Sequence, residues 1–177
     1  NVNRRTDSYG AGIEGRNRFA LAIAGATAAA IGAHRVGIRL SPYGVFNSTG
    51  GFADVEVQYL ALTQQLSDLG LLYLHVLDHS AMGAPAVPAE LKSRLRAAFR
   101  GLFILAGGFD RTSAERALQA GQADLIAFAR PFLANPDLVA RMQSDAALNA
   151  VDAQTFYTPG AKGYTDYPAL AEAAAAE

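Results

Sequence analysis

Two short segments carry the residues best suited to hold a phosphate. Leu105-Ala106-Gly107-Gly108-Phe109-Asp110 and Phe128-Ala129-Arg130-Pro131-Phe132 follow one another at a single strand-helix interval. Bare backbone at Gly107 and Gly108 lets an anion approach main-chain N–H groups, and a following helix N-terminus adds its positive end. The planar guanidinium of Arg130 can clasp a dianion through paired donors, a geometry that Lys does not match. A tight turn beside a surface salt bridge accounts for the same residue types equally well. Arg39 interrupts the apolar run between Ile38 and Leu40, and a cation there needs either a core carboxylate or an electron-rich ligand.

Other arrangements fall away. His75 lies within Tyr73-Leu74-His75-Val76-Leu77 and reads as packing, His34 and His79 read as surface residues, and the three lack spacing for a shared metal. With no cysteine there is no thiolate site, disulfide or catalytic thiol. Gly10-Ala11-Gly12-Ile13-Glu14-Gly15 matches the dinucleotide fingerprint by letter, but no strand leads into it and no acidic residue follows at the required distance. No Ser-His-Asp, zincin or P-loop pattern is present.

The elements that must position these residues alternate. A helix over Ile13 to Ile31, with Phe19, Ala22, Ile23, Ala26 and Ala30 on its apolar face, stops at Gly32. Strands are expected at 35–40, Leu71 to Leu77, Leu102 to Ala106 and Leu125 to Phe128, the second buried on both faces. Helices are expected from Asp54 to Gly70 (facing inward through Val55, Tyr59, Leu62 and Leu66), Pro88 to Phe99, Thr112 to Ala120, and Asn135 to about Met142. A tail from 143 to 177 follows, ending in Ala-Glu repeats expected as frayed helix. Strands joined by helices run parallel through right-handed crossovers, which leaves a doubly wound sheet or a (β/α)8 barrel. A barrel needs roughly 250 residues, so on that reading the chain is one half, completed by another segment or by a second copy of itself.

A net charge of −1 with scattered Lys and Arg offers no field for a nucleic-acid backbone. The longest apolar stretch, Phe19 to Ile31, is too short for a membrane span. A reducing cytoplasm is the expected compartment. The polar opening from Asn1, without Met or a signal-peptide core, points to an internal starting point.

Taken together, Arg4-Arg5-Thr6-Asp7-Ser8-Tyr9-Gly10, Val36-Gly37-Ile38-Arg39-Leu40-Ser41-Pro42, Leu105-Ala106-Gly107-Gly108-Phe109, Arg130-Pro131-Phe132-Leu133-Ala134-Asn135-Pro136-Asp137-Leu138 and Gly163-Tyr164-Thr165-Asp166-Tyr167-Pro168 resemble the Old Yellow Enzyme family, nearest its N-ethylmaleimide reductase type. The resemblance spans essentially the whole chain. It implies the second half of a TIM (β/α)8 barrel, residues 1–177, with FMN at the carboxyl face and NADH or NADPH as reductant. It assigns Arg39 to the flavin N1 and O2 edge, where its charge stabilises the anionic reduced flavin. Gly107 and Gly108 correspond to the phosphate cradle, Arg130 to the phosphate-binding arginine, and Phe156 and Tyr157 to aromatics bordering the substrate cavity.

Departures from the family pattern carry consequences. Ala129 replaces the usual Gly before the phosphate arginine, and its methyl group is expected to crowd the approach. Gly15 stands at a helix start, with an expected cost of about 1 kcal/mol against Ala. The family's substrate-binding His pair and proton-donating Tyr lie upstream of Asn1, so no catalytic residue is expected in this chain. The implied activity is reduction of activated C=C bonds (enones, maleimides, nitroalkenes) once an N-terminal half is supplied, with the isolated chain inactive. A stand-alone dimerising half-barrel that binds phosphate or FMN without catalysis is the alternative. A barrel enzyme acting on a phosphorylated metabolite gives Arg39 and Tyr157 no role.

Overall fold

A computed structural model describes residues 2–170. The Ala-Glu repeats at 171–177 lie outside the described residues. In chain order the elements are α1 (Ile13–Ile31), β1 (Gly37–Leu40), α2 (Val55–Asp68), β2 (Tyr73–Leu77), α3 (Ala89–Ala98), β3 (Leu102–Ala106), α4 (Arg111–Gln119), β4 (Leu125–Ala127), α5 (Arg130–Ala134) and α6 (Leu138–Ser144). The chain divides into one unit over Asn1–Ala127 and another over Phe128–Glu177.

In the first unit the strands form one parallel sheet in the order β1-β2-β3-β4. A doubly wound sheet reverses its strand order at a switch point. Here the order never reverses, which is the single winding of a (β/α)8 barrel. The outer edges of β1 and β4 pair with no further strand among the described residues.

The register sorts the side chains into two faces. Ile38, Leu74 and Phe103 form one row, and Leu40, Val76, Leu105 and Ile126 the next. These rows join Leu62 and Leu66 of α2, Leu91 and Leu95 of α3, and Phe99 in the core. Phe103, Leu66, Leu74 and Leu95 are fully enclosed, each stabilising the fold by about 1.5–3 kcal/mol through removal from water. The opposite face carries Arg39, His75, Ile104 and Leu125 in one row, and Leu77, Ala106 and Ala127 in another.

That division corrects the expectation for β2. Only Leu74 and Val76 are buried, whereas Tyr73, His75 and Leu77 remain half-exposed. The helices cover one face of the sheet, so an apolar run does not here mean burial on both.

The face of α1 is also corrected. Phe19 and Ile23 are 66% and 55% exposed, and Ala22, Ala26 and Ala30 are exposed as well. The packed face is Ala20, Leu21, Ala24 and Ala28 together with buried Asn17. Asn17 donates its amide N–H to the Gln58 carbonyl of α2 at 3.2 Å. Small residues at four-residue spacing let the backbones approach, and in an Ala-rich helix apolar periodicity does not single out that face.

Gly15 does not loosen α1. A Cβ there would lie 1.8 Å from the Gly10 carbonyl oxygen, so the glycine is what lets the incoming chain cross the first helical turn. The 10–15 glycine run is therefore a helix entry built by close backbone packing, and no strand precedes it. On α2, Val55, Leu62 and Leu66 are buried and Tyr59 packs against the core as expected. Asp54 occupies its N-cap position without a side-chain cap bond, taking Arg16 at 3.4 Å instead.

The second unit is held by a polar network. Fully buried Asn135 donates to the Pro131 carbonyl at 2.8 Å and accepts from the Asn149 backbone at 2.8 Å. Buried Arg141 donates to Asp137 at 2.7 Å and to the carbonyls of Ala147 and Pro168 at 2.6 and 3.0 Å. The Asn135-to-Met142 expectation resolves into α6 alone, starting at Leu138. α5 was not anticipated: Pro131 stands second in it, within the first turn, where its missing N–H gives up no intrahelical bond.

Candidate functional site

The sheet's carboxyl edge in the first unit brings together the β1, β2 and β3 loops. After Ala106 the chain turns at Gly107 and Gly108, both at positive φ (109° and 70°). A Cβ at Gly107 would stand 1.9 Å from the Asp78 carbonyl oxygen, whereas one at Gly108 would meet only the Ala81 methyl at 3.6 Å. Gly107 is thus required by packing against the end of β2, and Gly108 chiefly by its backbone angle. The N–H groups of Gly107 and Gly108 donate to no described group. Asp110 then opens α4 with a capping box, accepting from the Ser113 N–H at 2.7 Å and returning its own N–H to the Ser113 hydroxyl at 3.0 Å. The Ser113 hydroxyl, donating to the Asp110 carboxylate at 2.6 Å, and after it the Ser113 N–H hold the Asp110 carboxyl below its usual range.

Asp78 organises the neighbouring loop. Its buried carboxylate accepts from the N–H of Ser80 at 2.9 Å, the N–H of Val87 at 3.2 Å and Lys92 Nζ of α3 at 2.7 Å. Burial pushes this carboxyl up, but the Lys92 and Ser80 hydrogen bonds outweigh it and leave it below the ordinary value. Sequence reading missed this residue, because its cation lies 14 positions away on another element.

Arg39 projects from the exposed row of β1 and makes no ion pair or hydrogen bond among the described residues. The core-carboxylate alternative is thereby removed. His75, its register neighbour on β2, is half-buried, and its Nε2 is enclosed without a partner. Burial, reinforced by the Arg39 charge, pushes the His75 imidazole below its usual pKa, so it stays neutral and leaves Arg39 as the cation of this row. His34 is exposed as expected, while His79 is half-buried with its ring 5.0 Å from Phe46, edge to face.

A cavity of about 190 Å³ opens in the β1-α2 loop between Ser41, Tyr43, Thr49, Phe52 and Tyr59. The Tyr43 hydroxyl donates to Glu56 at 3.1 Å. No described helix is long and apolar enough to cross a membrane.

In the second unit Ala129 is the N-cap of α5, and its carbonyl accepts from the Leu133 N–H at 2.9 Å. Arg130 is exposed and forms no salt bridge among the described residues, which removes the surface-pair alternative. Phe156 and Tyr157 follow a one-turn helix at Ala153–Thr155. Their rings meet edge to face at 6.5 Å, and Tyr157 is 94% exposed. The Tyr164 hydroxyl donates to the Phe156 carbonyl.

In the first unit, an unpaired Arg39 on the open sheet face and the unbonded N–H groups of the Gly107-Gly108 turn fit a flavin mononucleotide, which carries an electron-rich ring edge and a dianionic tail. Residues 1–149 match the model of the "NADH:flavin oxidoreductase / NADH oxidase family". The chain belongs to that family. This is the Old Yellow Enzyme family of FMN-dependent oxidoreductases, as the sequence motifs implied. The 12-oxophytodienoate reductase 2 of Arabidopsis thaliana is 43% identical over 172 residues, covering 96% of this chain and 46% of that protein. The structure of morphinone reductase superposes with a TM-score of 0.91 at 40% identity, over 97% of this chain and 46% of its own. Morphinone reductase in complex with tetrahydroNAD gives 0.87 at the same identity. The chain therefore spans about half the length of such relatives, and its strands and helices constitute half of a TIM barrel.

Proposed function

We propose that this chain is the flavin-gripping half of an NAD(P)H-dependent ene-reductase, residues 1–177 forming one barrel domain with a partner segment that supplies the other strands. The observation that carries the reading is the pairing of an unpartnered Arg39 on the open sheet face with a glycine turn whose N–H groups are undonated. Bound FMN supplies the hydride relay between the nicotinamide and an activated alkene such as an enone, maleimide or nitroalkene.

Within that scheme each residue has a physical task. Arg39, kept the only cation of its row by a neutral His75, lowers the energy of negative charge placed at the flavin ring edge. Gly107 and Gly108 offer main-chain donors, Gly107 at a point where a Cβ would strike the Asp78 carbonyl and Gly108 at a positive φ that other residues rarely adopt. Arg130 binds the phosphate through its guanidinium, with Ala129 placing a methyl group beside it where a glycine would leave space. Phe156 and Tyr157, in the tail from 143, border the alkene cavity. Protonation and polarisation of the alkene require groups from the partner segment, so this chain alone binds without turning over.

The test is anaerobic oxidation of NADPH and NADH by the reconstituted barrel, FMN-loaded, with N-ethylmaleimide. Alkene-dependent nicotinamide oxidation is expected, with none from the 177-residue chain alone. A reconstituted, yellow protein that leaves the maleimide untouched would sink the proposal.

A further inference from the structure

We infer that Asp78 is a positioning residue for the Gly107-Gly108 turn, setting cofactor affinity without touching the cofactor. The inference rests on the FMN reading above.

Asp78 acts on the turn through its main chain and is itself held through its side chain. Its N–H donates to the Ala106 carbonyl at 2.9 Å, and its carbonyl oxygen occupies the place a Gly107 Cβ would need. The carboxylate, 7% exposed, takes Lys92 at 2.7 Å along with the Ser80 and Val87 N–H groups. Helix α3, the loop leading to it and the glycine turn are thus referenced to one residue. Burying a carboxylate costs several kcal/mol unless its bonds are complete, so a change at either end of the Lys92 pair must shift the loop. The Asp78 carbonyl shifts with it, and the Gly107 backbone, in contact with that oxygen, follows.

The experiment uses the FMN-free protein carrying this chain with its partner segment, titrated with FMN and with riboflavin, which lacks the phosphate. Asp78→Asn is expected to raise the FMN Kd roughly tenfold or more, the scale on which partners one step removed from a bound group act, with a much smaller change for riboflavin. Lys92→Met should reproduce that selective loss and Lys92→Arg should largely restore it. Lys92, 26% exposed, carries the test if Asp78→Asn does not fold. A purely structural role would lower the unfolding temperature yet leave the FMN Kd unchanged well below it, or weaken both flavins equally; either result overturns the inference. Equal FMN and riboflavin affinities in the unsubstituted protein would refute the phosphate reading itself, and this inference with it.

Discussion

Replacing Gly107 by Ala isolates the packing claim on which the cradle depends. The residue sits at φ 109°, and its new Cβ would lie 1.9 Å from the Asp78 carbonyl oxygen, where ordinary contact begins at 3.4 Å. Holding a non-glycine residue at such an angle costs about 1–3 kcal/mol. Relieving the overlap means moving the end of β2 by more than an ångström, at another ~1–3 kcal/mol by analogy with an overpacked core. The sum, roughly 2–6 kcal/mol, is large beside a typical domain stability of about 5–15 kcal/mol. Gly108→Ala is the control: its Cβ meets only Ala81 at 3.6 Å, leaving backbone strain of about 1 kcal/mol. Urea unfolding of both variants, compared at equal m-value, measures the difference. Equal losses for the two, or a Gly107→Ala cost under about 0.5 kcal/mol, a surface-substitution level, would refute the close approach.

Other consequences follow from the same contacts. The His75 imidazole is held below 6.5 by burial and by Arg39, so as pH falls through 6.5 the unfolded chain takes up the proton first and stability declines toward the lower folded value. His75→Gln should remove that decline between pH 7.5 and about 5, and an unchanged slope of urea midpoint against pH would contradict it. Arg141→Met strips three hydrogen bonds from the second unit and should destabilise it by about 3 kcal/mol, seen as faster amide exchange at Asn149 and Leu170; unaltered exchange counts against the network. Arg39→Met should lower the flavin midpoint potential while leaving the FMN Kd within about threefold, since removing a neighbouring cation disfavours the reduced, more negative ring, and an unmoved potential would remove Arg39 from the ring edge.

The fold was legible where residue types leave little choice. Gly32 and Gly70 mark helix ends, and β-rich runs between helices dictate a parallel sheet. In the Ala-rich α1, alanine on every face gives periodicity nothing to separate, so the packing of Ala20 and Ala24 into the core and the Asn17 bond to α2 appear only in three dimensions. β2 looked buried on both faces because sequence does not say that helices cover one face of the sheet. Among the candidate residues, Gly107, Gly108, Arg39 and Arg130 stand out by chemistry alone, but each had a bland alternative. Their lack of protein partners among the described residues removed it for the arginines. Asp78 was invisible because its meaning depends on Lys92 and on a carbonyl that only the folded turn brings to Gly107.

The most direct test is a paired titration of the flavin-free protein with FMN and riboflavin, before and after Arg130→Ala. If the guanidinium grips the flavin's phosphate, FMN binds at least roughly tenfold more tightly than riboflavin, a charge-assisted contact of about 1.5–3 kcal/mol, and the substitution abolishes most of that preference while sparing riboflavin. Equal loss for both flavins, or an FMN preference that survives the substitution, would contradict the account.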